Sequence, residues 1–131
     1  MAEKIGEFSM EHVNTSYTRN ADSDIVSTTD WRGSGSSSKL GSAQVFGTFV
    51  SKAPLADSDS KSGAIEFVGE SFLDNGSVIG SFAEGTWEKT EGEHSWRISV
   101  DGKNSLGQSR RYEGIVDLET LIFKGEVYSL D

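Results

Sequence analysis

The chain has 131 residues and carries 21 acidic against 12 basic side chains, which gives a formal net charge of −9. This charge repels phosphate backbones and anionic lipid headgroups, so it disfavours nucleic acids and membrane surfaces as partners. The sequence contains no cysteine, which excludes disulfides, thiolate metal sites and a cysteine nucleophile.

The length predicts a single domain, residues 1–131, that buries about two thirds of the surface exposed by the unfolded chain. The first residues, MAEKIGEF, lack the apolar stretch of a signal peptide. No segment has the roughly 20 apolar residues that a membrane-spanning helix needs. We therefore expect a soluble, cytoplasmic protein.

Apolar residues alternate with polar ones in runs that recur about every dozen residues between turn signals, and no long run has the helical period. Eight consecutive antiparallel strands most economically form an all-β, closed up-and-down β-barrel, because closure leaves no exposed sheet edge. A two-sheet β-sandwich is the alternative. The predicted strands are 4–13, 24–32, 40–51, 63–73, 77–89, 94–101, 107–117 and 120–130.

Turn residues separate these strands. Asn75-Gly76 and Asp101-Gly102 are each typical of a two-residue hairpin loop, because both central residues of such a turn adopt positive φ. The Gly- and Ser-rich segment 33–38 predicts a flexible loop, and the polar segment 51–62 predicts the longest connection.

The predicted hairpin loops fix which residues face each other. A two-residue loop at Asn75-Gly76 places Phe67 opposite Glu84 and Gly69 opposite Phe82. Facing residues share one side of the sheet, and this side is the more apolar one. We therefore predict that Phe67, Phe82 and Glu84 point into the barrel.

A loop at Leu118-Glu119 does the same for the last hairpin. It places Glu113 opposite Lys124 and Arg111 opposite Glu126, and two opposite-charge pairs support this register. The reverse side is then the interior face and carries Arg110, Tyr112, Gly114, Val116, Leu121, Phe123, Gly125 and Val127.

The stretch FAEGTWEKTEGEHSWRI (82–98) gives conflicting signals. A tight turn at Glu91-Gly92 places Trp87 opposite Trp96, while Glu84 and Arg97 share the other side, and both sides cannot be core. Either a bulge or longer loop between residues 89 and 94 flips the register, or the barrel has a mixed lumen and the two tryptophans pack outside. We favour the second interpretation.

Three residues are candidates for chemistry. Glu84 on an apolar interior face is suited to general acid or base catalysis, because desolvation favours the neutral carboxyl group. Arg97 is placed to orient Glu84 or to bind an anionic oxygen. Tyr112 could donate a hydrogen bond to a ligand carbonyl. A structural ion pair for Glu84 and Arg97, and a core role for Tyr112, are the alternatives.

Other residues are predicted around a ligand. His12 alternates with Phe8 and Met10 and therefore points inward, and Trp31 ends the second strand, where it covers one mouth or serves as a plain rim aromatic. Two histidines without metal-binding spacing predict no metal site. The predicted ligand-binding residues are Phe8, His12, Trp31, Phe67, Phe82, Arg110 and Phe123.

The glycine-punctuated strands GTFVS (47–51), FVGESF (67–72), GSFAEGTWE (80–88) and GEVYSL (125–130) resemble those of calycin-like and allene-oxide-cyclase-like small β-barrels. That resemblance implies binding of hydrophobic molecules or their isomerisation or cyclisation without a cofactor. No motif is specific enough to transfer a catalytic residue, and fold analogy alone does not establish function.

These observations lead to two hypotheses. The first is a cofactor-independent barrel that binds a hydrophobic small molecule in its lumen, with Glu84, Arg97 and Tyr112 as catalytic residues of an isomerase or cyclase. The second is a non-catalytic module whose exposed Trp31, Trp87 and Trp96 contact a protein or a carbohydrate. A homo-oligomer is compatible with either.

Overall fold

The computed structural model of the chain describes residues 2–38, 41–54 and 59–131. Within them the chain forms eight β-strands joined by turns and loops. The strands are β1 (Glu3–Arg19), β2 (Asp24–Ser37), β3 (Gly41–Pro54), β4 (Ser62–Leu73), β5 (Val78–Lys89), β6 (Ser95–Asn104), β7 (Ser109–Asp117) and β8 (Ile122–Ser129).

Each strand pairs antiparallel with the next one along the chain, and β8 returns to pair with β1. The sheet is therefore a closed, eight-stranded up-and-down barrel, as the alternation of the sequence predicts, and not a sandwich. No helix in the described ranges is long and apolar enough to cross a membrane.

The first two strands extend well beyond their predicted ends. Gly33 pairs with Met10 and Gly35 with Phe8, so the segment predicted as a flexible loop is part of β2. These residues pair through backbone hydrogen bonds, and Gly33 lets the backbone of β1 approach closely, because a Cβ atom there would overlap the carbonyl oxygen of Ser9. A bulge between His12 and Asn14 shifts the register farther along β1. Part of the predicted 51–62 connection lies outside the described residues.

The hairpin between β4 and β5 has a three-residue loop, not the predicted two-residue one. Leu73 accepts a hydrogen bond from the Gly76 amide and donates its own to Ser77, and Gly76 has a φ of 90°. This is the arrangement of a turn followed by a left-handed glycine. Phe67 therefore faces Ala83, and the inward residues of β5 are the odd-numbered ones.

Two further turn predictions are wrong in detail. Asp101-Gly102 lies inside β6, and the turn follows at residues 105–107, where Asn104 Oδ1 accepts the amide hydrogens of Leu106 and Gln108. The last hairpin has a four-residue loop that exposes Leu121, which was predicted to be interior.

The longer last loop also changes the predicted ion pairs, but the residues of β7 and β8 stay on the faces of the sheet that were predicted for them. Glu113 lies opposite Glu126 instead of Lys124, and Arg111 forms its ion pair with Asp101 on β6 at 2.7 Å. The interior assignment of Arg110, Tyr112 and Phe123 is unaffected, because the loop grew by two residues and the side-chain alternation has period two.

Aromatic rings fill the barrel by lying over glycines of their own or of a neighbouring strand. A side chain at Gly47 or Gly69 would collide with the ring of Phe67, and one at Gly63 with the indole of Trp87. Trp87 and Trp96 are half-buried and pack against the core, so the preferred interpretation that they lie outside is wrong. In the observed β4–β5 register Phe67 faces Ala83, so Trp87, another odd-numbered residue of β5, lies on the same inward face as Phe67.

Candidate functional site

The interior of the barrel is filled unevenly. Trp31, Trp87 and Trp96 occupy the part toward the β1–β2 and β5–β6 loops. Toward the other end a cavity of about 120 Å³ remains. We call this end the open mouth; it is formed by the start of β1, the β4–β5 hairpin at residues 74–77, the β6–β7 loop at residues 105–108 and the end of β8.

Aromatic rings form the floor of the cavity. The ring of Phe8 contacts those of Phe123 and Tyr112, with centroid separations of 4.8 and 6.5 Å. Phe49 packs edge-on against Phe67 at 5.3 Å and against Phe123 at 5.0 Å. Each ring therefore packs against at least one other, and together they give the cavity an apolar floor.

Aliphatic side chains form most of the wall. Val45, Ile79, Val100 and Val127 come from four different strands and all line the cavity. A small apolar group therefore finds contacts on every side of the space.

Ser81, Tyr112 and Arg110 line the cavity from β5 and β7, and we call these three residues its polar side. Other polar residues of the lining include Glu7, Ser36, Ser71 and Asn104. Burial raises the pKa of Tyr112 above its ordinary value, and this outweighs the lowering by a hydrogen bond with Ser81 and by the nearby Arg110 charge. The phenol is therefore neutral at physiological pH and keeps a proton that it can donate to a ligand oxygen.

Arg110 is almost completely buried, and its Nη1 atom has three hydrogen-bond partners. Nη1 donates to the Ser109 carbonyl oxygen at 2.8 Å, to Ser129 Oγ at 3.4 Å and to Asp131 Oδ2 at 2.9 Å. The bonds to Ser129 and Asp131 connect the start of β7 to the last residue of β8 and to Asp131 beyond it. They hold the guanidinium in a fixed position at the mouth.

The structure brings five of the predicted site residues together at the cavity. Phe8, Phe67 and Phe123 belong to the aromatic floor, and Tyr112 and Arg110 to the polar side. Their placement follows from strand alternation, which the sequence displays directly on β1, β4, β7 and β8.

Three predicted residues lie on the outside of the barrel. Phe82 is 66% exposed, and Glu84 and Arg97 are exposed as well. The predicted two-residue loop shifted β5 by one position, and a shift of one residue moves every side chain to the opposite face. Glu84 faces Glu66 and Asp101 on the outer surface. It therefore cannot contact a ligand in the lumen.

His12 and Trp31 are inside the barrel but away from the cavity. His12 Nε2 lies 2.6 Å from Thr15 Oγ1, and its ring packs against Trp31 at 5.7 Å. Trp31 is only 3% exposed, so the prediction of a rim or surface tryptophan is wrong. Trp87 and Trp96 are half-buried, so the three tryptophans do not form the fully exposed surface that the second hypothesis expects.

The outer surface carries a different apolar stripe. Val68 faces Phe82 and Phe72 faces Val78 across the β4–β5 pair, and the ring of Phe46 packs edge-on against Phe72 at 5.8 Å. All five side chains are at least 41% exposed. This outer stripe comprises Phe46, Val68, Phe72, Val78 and Phe82.

Several cavity residues were not predicted as site residues. Phe49 and Val45 alternate along β3 with Gly47, and Ile79 and Ser81 occupy inward positions of β5. The alternation on β3 could have identified Phe49. Ile79 and Ser81 could not be found while the β5 register was wrong.

Within residues 2–38, 41–54 and 59–131, no three His, Cys, Asp or Glu side chains lie close enough to hold a metal ion together. Comparison of the chain with protein-family models, with curated proteins and with solved structures gives no match.

Proposed function

We propose that this barrel binds a small hydrophobic molecule in the cavity behind the open mouth. The observation that carries the proposal is the cavity of about 120 Å³ between the aromatic floor and the mouth. A comparable apolar cavity in another protein, about 150 Å³, takes up benzene. We therefore expect one ring or short alkyl chain to occupy the cavity, while the rest of the ligand extends into the mouth.

The arrangement supports binding better than acid–base catalysis. Glu84 and Arg97, the predicted proton carrier and its partner, are on the outer surface. Tyr112 and Ser81 supply hydrogen bonds at the polar side of the cavity. Hydrogen bonds of this kind orient a ligand, and an apolar wall with a few placed polar groups is typical of binding sites.

Filling the cavity from its rim should abolish ligand binding. Ala43 lines the cavity at the start of β3, so Ala43→Trp directs an indole into it. We expect the unaltered protein to increase the fluorescence of the neutral probe N-phenyl-1-naphthylamine. We expect Ala43→Trp to bind the probe at least about tenfold more weakly, because the probe and the indole compete for the same volume.

Gln44→Trp is the matched control. Gln44 is the next residue along β3 and is exposed on the outer face, so its replacement adds the same side chain outside the barrel. We expect this variant to bind the probe as the unaltered protein does. Equal binding by both variants, or no binding by the unaltered protein, would refute the proposal.

A further inference from the structure

The hairpin of β1 and β2 extends beyond the strand that closes the barrel. β1 pairs with β8 from Glu3 to Glu11, and the amide of His12 donates to the Leu121 carbonyl oxygen. β1 continues to Arg19, and over this last part β2 is its one partner strand among the described residues. Residues 13–19 therefore form a sheet edge on the side that β8 leaves open, and we call it the free edge.

The backbone groups of every second residue point out from the free edge. The amide of Asn20 donates to the carbonyl oxygen of Asp24, which begins β2. Hydrogen-bonding directions alternate along an antiparallel strand, so the even-numbered residues from 14 to 20 direct their backbone groups toward β2. The odd-numbered ones direct theirs outward, namely Thr15, Tyr17 and Arg19. No strand or loop in the described part of the chain bonds to these outward groups.

The free edge lacks the residues that usually prevent a sheet edge from pairing with another chain. Lysine and proline commonly serve this purpose. The sequence of residues 13–19, VNTSYTR, contains neither of them, and its Val, Thr and Tyr residues favour strands. An extended chain can therefore add to this edge through backbone hydrogen bonds.

The distribution of charge favours a second copy of this chain as the occupant of the free edge. The net charge of −9 makes two copies repel each other at most of their surface. Residues 12–21 contain no acidic side chain, and Arg19 is their one Lys or Arg. By contrast, Glu70 and Glu84 are exposed on the face that carries the outer stripe, where a second copy would bring carboxylates together.

We infer that two copies of the chain associate by antiparallel pairing of the free edge with itself. The two-fold arrangement places Thr15 opposite Tyr17 of the second copy, and symmetry repeats this pair. Each of the two pairs exchanges two backbone hydrogen bonds between outward groups. The sheets of the two barrels then continue into each other. This association does not depend on the cavity or on its ligand.

Sedimentation equilibrium of the whole chain, from about 5 µM to about 1 mM, measures the association. We expect a monomer–dimer equilibrium with a dissociation constant of about 10–300 µM, because a short edge buries less surface than a standard stable interface. A chain that stays monomeric up to about 1 mM would overturn the inference.

Tyr17→Glu tests where the two copies meet, and Phe82→Glu is the matched control. Both variants replace an exposed aromatic ring by a carboxylate, since Tyr17 is 69% and Phe82 66% exposed. In the dimer the two carboxylates introduced at position 17 lie diagonally across the paired strands, about 7–8 Å apart. We expect Tyr17→Glu to raise the dissociation constant at least about fivefold and Phe82→Glu to change it less than about twofold. No effect of Tyr17→Glu, or equal weakening by both variants, would overturn the inference.

Tyr17→Pro tests whether backbone hydrogen bonds join the two copies. Proline has no amide hydrogen, and the amide of Tyr17 points away from β2, so the β1–β2 ladder keeps its bonds. Both copies lose one donor, and we expect the dissociation constant to rise at least about tenfold. A dimer that forms equally well with this variant would show that the contact lies elsewhere.

Discussion

Replacing Phe123 by alanine is expected to lower the free energy of unfolding by about 3–5 kcal/mol, because it leaves a void at the centre of the aromatic core. Phe123 is 2% exposed, and its ring contacts the rings of Phe8, Trp31 and Phe49. Domains of this kind have a total stability of about 5–15 kcal/mol, so such a loss is a large fraction of it. Urea unfolding followed by tryptophan fluorescence measures the change.

Phe82→Ala is the control for this experiment. The same ring is removed, but from the outer stripe, where Phe82 is 66% exposed. We expect a loss below about 1 kcal/mol, since little packing is lost at such a position. Equal destabilisation by the two substitutions would show that the register of β5 described here is wrong.

Gly102→Ala is expected to be about as damaging, although it adds only one methyl group. A Cβ atom at Gly102 would overlap the carbonyl oxygen of Phe82 and the backbone of Ala83 on the paired strand. These are backbone atoms, so they cannot move aside without displacing β5. We expect a loss of about 3 kcal/mol or more, at the upper end of the cost of overpacking.

Gly80→Ala is the matched control for Gly102→Ala. Nothing lies within 4 Å of a Cβ atom built at Gly80. We expect a change within about 1 kcal/mol, and of either sign, because alanine also restricts the unfolded chain. The prediction fails if Gly102→Ala unfolds at the same urea concentration as Gly80→Ala.

The fold could be predicted from the sequence because the number and order of the strands do not depend on the exact strand ends or loop lengths. Eight alternating segments and their turn residues specify the number of strands, and closure follows from the need to cover edges. Each of these segments overlaps one observed strand, although β1 and β2 extend much farther than predicted. Their extensions are rich in Gly, Ser and Thr, which pair through the backbone and give little side-chain signal.

The site was harder to predict because it depends on register. Asp74-Asn75-Gly76 is compatible with a two-residue loop at Asn75-Gly76 and with a three-residue loop that ends in a left-handed glycine. The choice between them decides whether Glu84 or Ala83 faces the lumen. On β7 and β8 the loop differed from the prediction by two residues, so Arg110, Tyr112 and Phe123 were assigned to the correct face.

The central claim is that a hydrophobic ligand enters the cavity, and selective methyl labelling of Val and Ile tests it most directly. In an NMR titration with 4-phenylbutan-1-ol, we predict saturable shifts of the methyl resonances of Val45, Ile79, Val100 and Val127, which line the cavity. Val68 and Ile115, which are exposed outside the barrel, should not shift. Shifts confined to Val68 and its neighbours on the outer stripe, or no saturable shift anywhere, would contradict the claim.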